Sequence, residues 1–219
     1  MWLYKVARAV LYLPIKLVFP TKVYGKKPIP DGKCIVAGNH LTGFDSLIWA
    51  VNFKRTVTFL SKEELWGNWF TKWLFKNLGS VPIARGGSDF VAMKKIIATL
   101  NEDKAVALYP EGTRNKTAPG ELLPFKGGVS MFALKTGADI LPVVLLNPPK
   151  PFKKNYMLIG DIIKVEKPEG KLTSEVTEEF TQMLQCKMGK QLHELQSRAH
   201  NINTVKKIAE SEIAESDDK

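Results

Sequence analysis

The chain has 219 residues, 44% of them hydrophobic, which is enough to bury one substantial core, sets one domain as the expectation and excludes a wholly disordered chain. Its formal net charge of +10 and pI near 9.5 call for an anionic partner, either nucleic acid or an anionic membrane surface. Two cysteines, Cys34 and Cys186, give neither metal-ligand spacing nor a disulfide framework, so a reducing, cytoplasm-facing location fits.

Residues 2–19 are mostly apolar but carry Lys5, Arg8 and Lys16. At roughly 100° per residue these three fall with Tyr12 in one arc, and Trp2, the leucines and the valines cover the rest of the helix. A spanning helix needs about 20 apolar residues without central charge. The pattern therefore favours an amphipathic helix lying in a membrane interface and kinked or ended at Pro14, with a spanning anchor or a packing helix as alternatives. Thr21 to Gly32 reads as a connection, which closes an N-terminal unit at residues 1–24 ahead of one main domain at 25–200.

Lys33-Cys-Ile-Val-Ala-Gly38 is an apolar run of the kind found in a buried strand, and Ser46 to Val51 has helix content that Thr42 or Asp45 is expected to cap. Between them Asn39 to Phe44 forms a strand-to-helix turn, the favoured ligand position in an α/β sheet. His40 and Asp45 can meet only if the chain bends, and Gly43 permits a bend. An Asp on one imidazole nitrogen orients the ring and leaves the other nitrogen to take a proton, so the pair is a candidate general base. A loop histidine beside a helix cap is the alternative.

Arg55 to Leu60 is expected as a second strand, followed by an aromatic-rich helix over residues 62–78 that serves either as core packing or as a surface for acyl chains or the membrane interface. Gly79 to Gly87 reads as a short strand ending at Arg85, which is either simply solvated or holds a phosphate through its planar fork of donors. A helix over 88–100 precedes the strand Lys104 to Tyr109, and directly after it lies Pro110-Glu-Gly-Thr-Arg-Asn115. Arg114 can hold an anionic oxygen in bidentate fashion, and Glu111 can accept from a hydroxyl or fix the Arg fork. With parallel strands, both turns open on the same edge of the sheet.

Val129 to Thr136 reads as a helix stopped by Gly137. Asp139 to Leu146 is a strand that Pro142 assigns to the sheet edge or to the strand's first residues. Strand content continues over 156–165, a long helix over 173–200 follows, and 201–219 is expected to be a frayed, charged tail. Nucleophile-elbow, dinucleotide, Walker A, HExxH and paired CxxC motifs are absent, and the basic residues do not form an RNA-binding patch with interleaved aromatics. No nucleic-acid partner is expected.

With Asn39-His-Leu-Thr-Gly-Phe-Asp45, Arg85, Tyr109-Pro-Glu-Gly-Thr-Arg114, Phe125-Lys-Gly-Gly128 and Leu141-Pro-Val143 in order, the chain resembles the glycerolipid acyltransferase family, in its 1-acylglycerol-3-phosphate acyltransferase branch. The likeness runs from about Gly25 to Ile163. It implies a single α/β domain with a mostly parallel mixed sheet flanked by helices. It also implies transfer of an acyl group from coenzyme A or acyl carrier protein to lysophosphatidate, with no cofactor or metal. His40 and Asp45 would be catalytic, Arg85 and Arg114 would hold the acceptor's phosphate, and Glu111, Gly112 and Thr113 would shape that pocket. Anionic membrane lipids become the expected surface partner, at the cytoplasmic face. Glycerol 3-phosphate or another lysophospholipid as acceptor, or a non-catalytic lipid-binding module, are the competing readings.

Overall fold

The computed structural model describes residues 2–25, 28–83, 90–118 and 120–217. Its frame is a six-stranded sheet in the order β1-β8-β7-β2-β6-β3, built from β1 (Thr21–Tyr24), β2 (Cys34–Gly38), β3 (Val57–Thr58), β6 (Ala105–Leu108), β7 (Asp139–Leu145) and β8 (Asn155–Ile159). All neighbouring strands run parallel except β7 and β8, so the sheet is mixed and mostly parallel.

Side chains alternate across the strands and feed two separate apolar layers. Ile35, Ala37, Val106, Leu108, Ile140 and Val144 point to one face, where they meet α4 (Phe90–Asn101), α5 (Gly128–Thr136) and α6 (Ser174–Asp217). Cys34, Val36, Ala105, Ala107, Leu141 and Val143 point to the other, covered by α2 (Asp45–Asn52) and the end of α1 (Trp2–Val18). All five residues of β2 are buried, as its unbroken apolar run requires of a strand covered on both faces.

Four local features differ from the sequence reading. β1 lies in what reads as a connection, because its Pro- and Gly-rich sequel masks a four-residue edge strand. The run from Arg55 to Leu60 divides, with β3 in the main sheet and β4 (Leu60–Lys62) pairing with β5 (Val81–Ile83) in a separate two-stranded sheet. The aromatic segment also divides, into a 3-10 turn at Glu63–Trp66 and α3 (Trp69–Asn77). Asn68 starts α3 in a capping box with Thr71. Pro142 is neither at the edge nor at the start: β7 is central, Pro142 pairs with Ala37, and its carbonyl accepts from Gly160 N at 2.9 Å. The antiparallel ladder to β8 begins one residue later, at Val143, so the missing proline N–H falls outside it.

Helix α1 carries Pro14 in its interior. Two of its three cations reach inward while Lys5 stays exposed: Arg8 Nη1 donates to the carbonyls of Phe53 and Lys54, and Lys16 Nζ donates to Asn52 Oδ1 at 2.6 Å. These acceptors sit at the end of α2, where unpaired carbonyls gather and cations are favoured. The apolar side of α1 consequently faces out, with Trp2, Val10, Leu13 and Leu17 each more than 60% exposed. At the other end of the chain, α6 stays helical to Asp217, well past the residue where the sequence reading ends it.

Candidate active site

The site lies where β2 and β6, parallel neighbours with Ala37 opposite Leu108, release their chains at the same edge. Asn39 anchors the first turn. Fully buried, its amide donates to Leu145 O at 2.9 Å and accepts from Leu145 N at 2.8 Å, imitating a strand neighbour to the last residue of β7. The next residue, His40, is thereby fixed at its backbone, and its N–H donates to Glu111 Oε1 at 3.0 Å while its carbonyl accepts from Asn115 N at 2.7 Å. The two loops expected to share an edge are thus stitched together on both sides of one residue.

His40 and Asp45 meet, with Nδ1 to Oδ2 at 2.8 Å. Asp45 is 0% exposed and the histidine side chain 18%. The same Oδ2 accepts from Leu41 N at 2.7 Å and Thr42 N at 2.8 Å, and Oδ1 accepts from Thr42 Oγ1 at 2.8 Å. A buried carboxylate is tolerable only when paired and hydrogen-bonded, and here four donors converge on it. It is the first residue of α2 rather than its cap. The cap position is Phe44, which makes no side-chain capping bond, and the amides that Asp45 ties down belong to the turn itself. Its carboxylate therefore both folds the bend and orients the imidazole.

Gly43 matters for a reason the spacing does not reveal. Its φ is not in the left-handed region; a Cβ there would stand 3.3 Å from Arg114 Nη2, so the missing side chain leaves room for the guanidinium. Arg114 thereby lies against the histidine turn, in an exposed position open to a ligand. Glu111 is 1% exposed and spends its oxygens on His40 N and on Leu123 N, the latter at 3.1 Å. Burial pushes its carboxyl above the usual range, against the pull of those two N–H groups. Gly112 has φ +63, the left-handed conformation that favours glycine, and a Cβ there would stand 2.8 Å from Lys126 Cδ. Thr113 is exposed beside it. Arg85 lies outside the described residues.

A further group at this site went unremarked in the sequence. Tyr109, the last residue before the Pro-Glu-Gly-Thr-Arg turn, stacks on the His40 ring with centroids 3.9 Å apart and planes 15° from parallel. Its signal was the position alone: one residue past β6, the neighbour of β2, which ends two residues before His40. Among the described residues, no group of three or more His, Cys, Asp or Glu side chains is arranged to hold a metal ion.

The acyltransferase family profile matches residues 20–146, which takes in both loops and all of the described site. The chain belongs to that family. A 1-acyl-sn-glycerol-3-phosphate acyltransferase of Borreliella burgdorferi is 34% identical over 138 residues, 62% of this chain and 54% of that protein. The protein of the same description from Salmonella typhimurium is 31% identical over 157 residues, 67% of this chain and 61% of its own. The acyltransferase fold is also seen in the crystal structure of the 1-acyl-sn-glycerophosphate (LPA) acyltransferase from Thermotoga maritima. It superposes with a TM-score of 0.64 at 25% identity, over 88% of this chain and 82% of that one. The chain spans about half the length of the curated relatives it matches, between 39% and 54% for three of them.

Proposed function

We propose that this chain transfers an acyl group from a thioester of coenzyme A or acyl carrier protein to the sn-2 hydroxyl of 1-acylglycerol 3-phosphate, giving phosphatidate. The observation that carries the reading is the buried Asp45 carboxylate holding His40 Nδ1 at 2.8 Å. With Nδ1 occupied, Nε2 is the nitrogen that takes the alcohol's proton as the oxygen attacks the thioester carbonyl. The new C–O bond forms, the C–S bond breaks, and the proton passes from the imidazolium to the leaving thiolate. A thiol of pKa about 8.5 is a good leaving group, so no covalent enzyme intermediate is needed. Arg114 and, on sequence grounds, Arg85 take the acceptor's phosphate. Gly112 and Thr113 form the wall beside Arg114, and Glu111 holds that wall from behind.

The same reading places the reaction at a membrane surface on its cytoplasmic face, with anionic lipids as the partner of the basic chain. Among the described residues no helix is long and apolar enough to cross a membrane. The outward apolar side of α1 supports interfacial insertion instead. Its ring contact with the catalytic turn ties insertion to chemistry: Phe19, just past α1, lies 5.0 Å from Phe44, which is itself 48% exposed. The aromatic segment adds Trp69, Phe70 and Trp73, each at least half exposed. Residues 1–24 then act as the membrane-interface segment, 25–200 as the catalytic domain and 201–219 as a charged extension.

The test is free-thiol release from acyl-coenzyme A or acyl carrier protein with lysophosphatidate in mixed vesicles, with glycerol 3-phosphate as the competing acceptor. Release that depends on lysophosphatidate and falls at least 10²-fold in His40→Ala is the expected result. Undiminished release in that variant removes the general base, and no release from any donor and acceptor pair returns the chain to a lipid-binding module.

A further inference from the structure

One hydrogen bond does not fix an imidazole. With Nδ1 held on Asp45, the His40 ring can still tilt about that bond, and a tilt moves Nε2 away from the acceptor's hydroxyl. Tyr109 supplies what is missing. Its ring lies parallel to the imidazole at 3.9 Å, and its hydroxyl is tied to Ser46 Oγ at 2.8 Å, on the first turn of the helix that carries Asp45. Behind it stands Trp49, fully buried and 5.1 Å away. Trp49 is itself clamped by Gly38, since a Cβ there would fall 2.2 Å from the indole. Indole, phenol and imidazole therefore form a column that begins in the core and ends at the reacting nitrogen.

A stack of this kind also has an electronic consequence. The face of a phenol ring carries negative quadrupole, which attracts a cation above it. Imidazole is neutral before the proton transfer and cationic after it, so the attraction grows as the reaction proceeds. Burial pushes the Tyr109 hydroxyl up from its ordinary value, which keeps the phenol neutral and its ring a steady partner. Among the described residues, Asp45 from α2 bonds the His40 ring, Glu111 from the loop after β6 bonds its backbone, and Arg114 lies against the same turn at Gly43; all of them remain in the Tyr109 variants below.

We propose that Tyr109 is a positioning residue for His40, closing one face of the imidazole, fixing its tilt about the bond to Asp45 and stabilising the imidazolium that forms as the alcohol is deprotonated. The inference rests on His40 being the base. The experiment is the pH dependence of kcat/KM for thiol release by the full chain in vesicles, comparing Tyr109→Leu with Tyr109→Phe. Tyr109→Leu is expected to lose about 10-fold in kcat/KM at unchanged KM. Its acid limb moves toward lower pH by about half a unit, because the imidazolium loses its partner. Tyr109→Phe keeps the ring face and is expected to leave the acid limb in place.

A role in packing alone lowers the rate of Tyr109→Leu without moving the acid limb, and that result overturns the proposal. Should Tyr109→Leu fail to fold, Tyr109→pentafluorophenylalanine preserves the ring and inverts its quadrupole. The same displacement is expected against Tyr109→Phe, and coincident acid limbs overturn the proposal. His40→Ala separates the two levels: if it retains thiol release the base assignment fails, whereas if it is inert and the acid limbs coincide, only the role of Tyr109 fails.

Discussion

Asp45→Asn isolates charge from shape at the centre of the site. Asparagine is isosteric, and its amide oxygen in the place of Oδ2 still accepts from His40 Nδ1, Leu41 N and Thr42 N. Its NH₂ then takes the place of Oδ1, facing Thr42 Oγ1, a hydroxyl that can rotate to accept where it now donates. All four contacts survive, one of them reversed, but each loses the strengthening that an ionised acceptor gives, which roughly halves it. With charged-acceptor bonds worth about 1.5–3 kcal/mol each, offset in part by the lower cost of burying a neutral amide, a net loss of about 2 kcal/mol is expected.

In a chain of this size that shifts Tm by about 4–8 °C and leaves the fold intact at room temperature. With His40 as the proposed base, catalysis is expected to be hit harder, because the negative charge acts on an imidazolium that exists only once the proton has moved. The loss is expected at roughly 10²–10⁴ in kcat with little change in KM. The assay is thiol release under saturating acyl-coenzyme A, alongside a thermal melt. A folded Asp45→Asn protein within about threefold of the wild-type rate would refute the reasoning, since the carboxylate would then serve only the turn.

Gly38→Ala is expected to cost about 3 kcal/mol or more by urea unfolding, because its Cβ would fall 2.2 Å from Trp49 in a core that cannot yield there. Burial raises the Cys34 thiol to about 12, while Cys186 is exposed, so a thiol-disulfide reagent should label one cysteine in the native protein and two in denaturant. Because burial raises the carboxyl of Glu111 in the folded state, its contribution is fully present below the ordinary carboxyl range and is lost as pH rises through the elevated value. Urea midpoints of wild type should therefore fall relative to Glu111→Gln from about pH 4.3 upward, and parallel curves would contradict this. Leu13 and Leu17 are 63% and 64% exposed. If they enter the bilayer at about 1.5–2 kcal/mol each, the double change Leu13→Lys with Leu17→Lys should weaken cosedimentation with vesicles by at least 10²-fold.

The parts of the fold that follow from short-range rules were legible: the buried strand β2, the glycine that stops α5, the start of the long helix α6 and the shared edge of the two loops. The bend that His40 and Asp45 need in order to meet was legible from their spacing, although a loop histidine beside a helix cap fitted the same residues. Pairing partners were not. Nothing local tells Pro142 that β7 is central, since the proline's missing donor matters only relative to where β8 begins. The role of Gly43 was hidden for the same reason. Its cause is the guanidinium of Arg114, distant in sequence, whereas a turn glycine suggests only its own backbone.

Helix α1 carries the most instructive case, because its periodicity was read correctly while the direction it faces had to come from its neighbours. An amphipathic helix on a soluble domain turns its leucines to the core. This one turns two of its three cations inward, since the carbonyls of Phe53 and Lys54 past the end of α2 accept from Arg8 and the Asn52 side chain accepts from Lys16. The outward leucines then need a second apolar phase. Because Phe19, buried just past α1, packs against Phe44 of the turn bearing His40 and Asp45, a change that frees α1 from α2 should lower activity on vesicle-borne acceptor more than on a short-chain, water-soluble one. Arg8→Gln is the variant to use, since it leaves the turn from His40 to Asp45 untouched. Equal losses on both acceptors would separate membrane insertion from the geometry of the site.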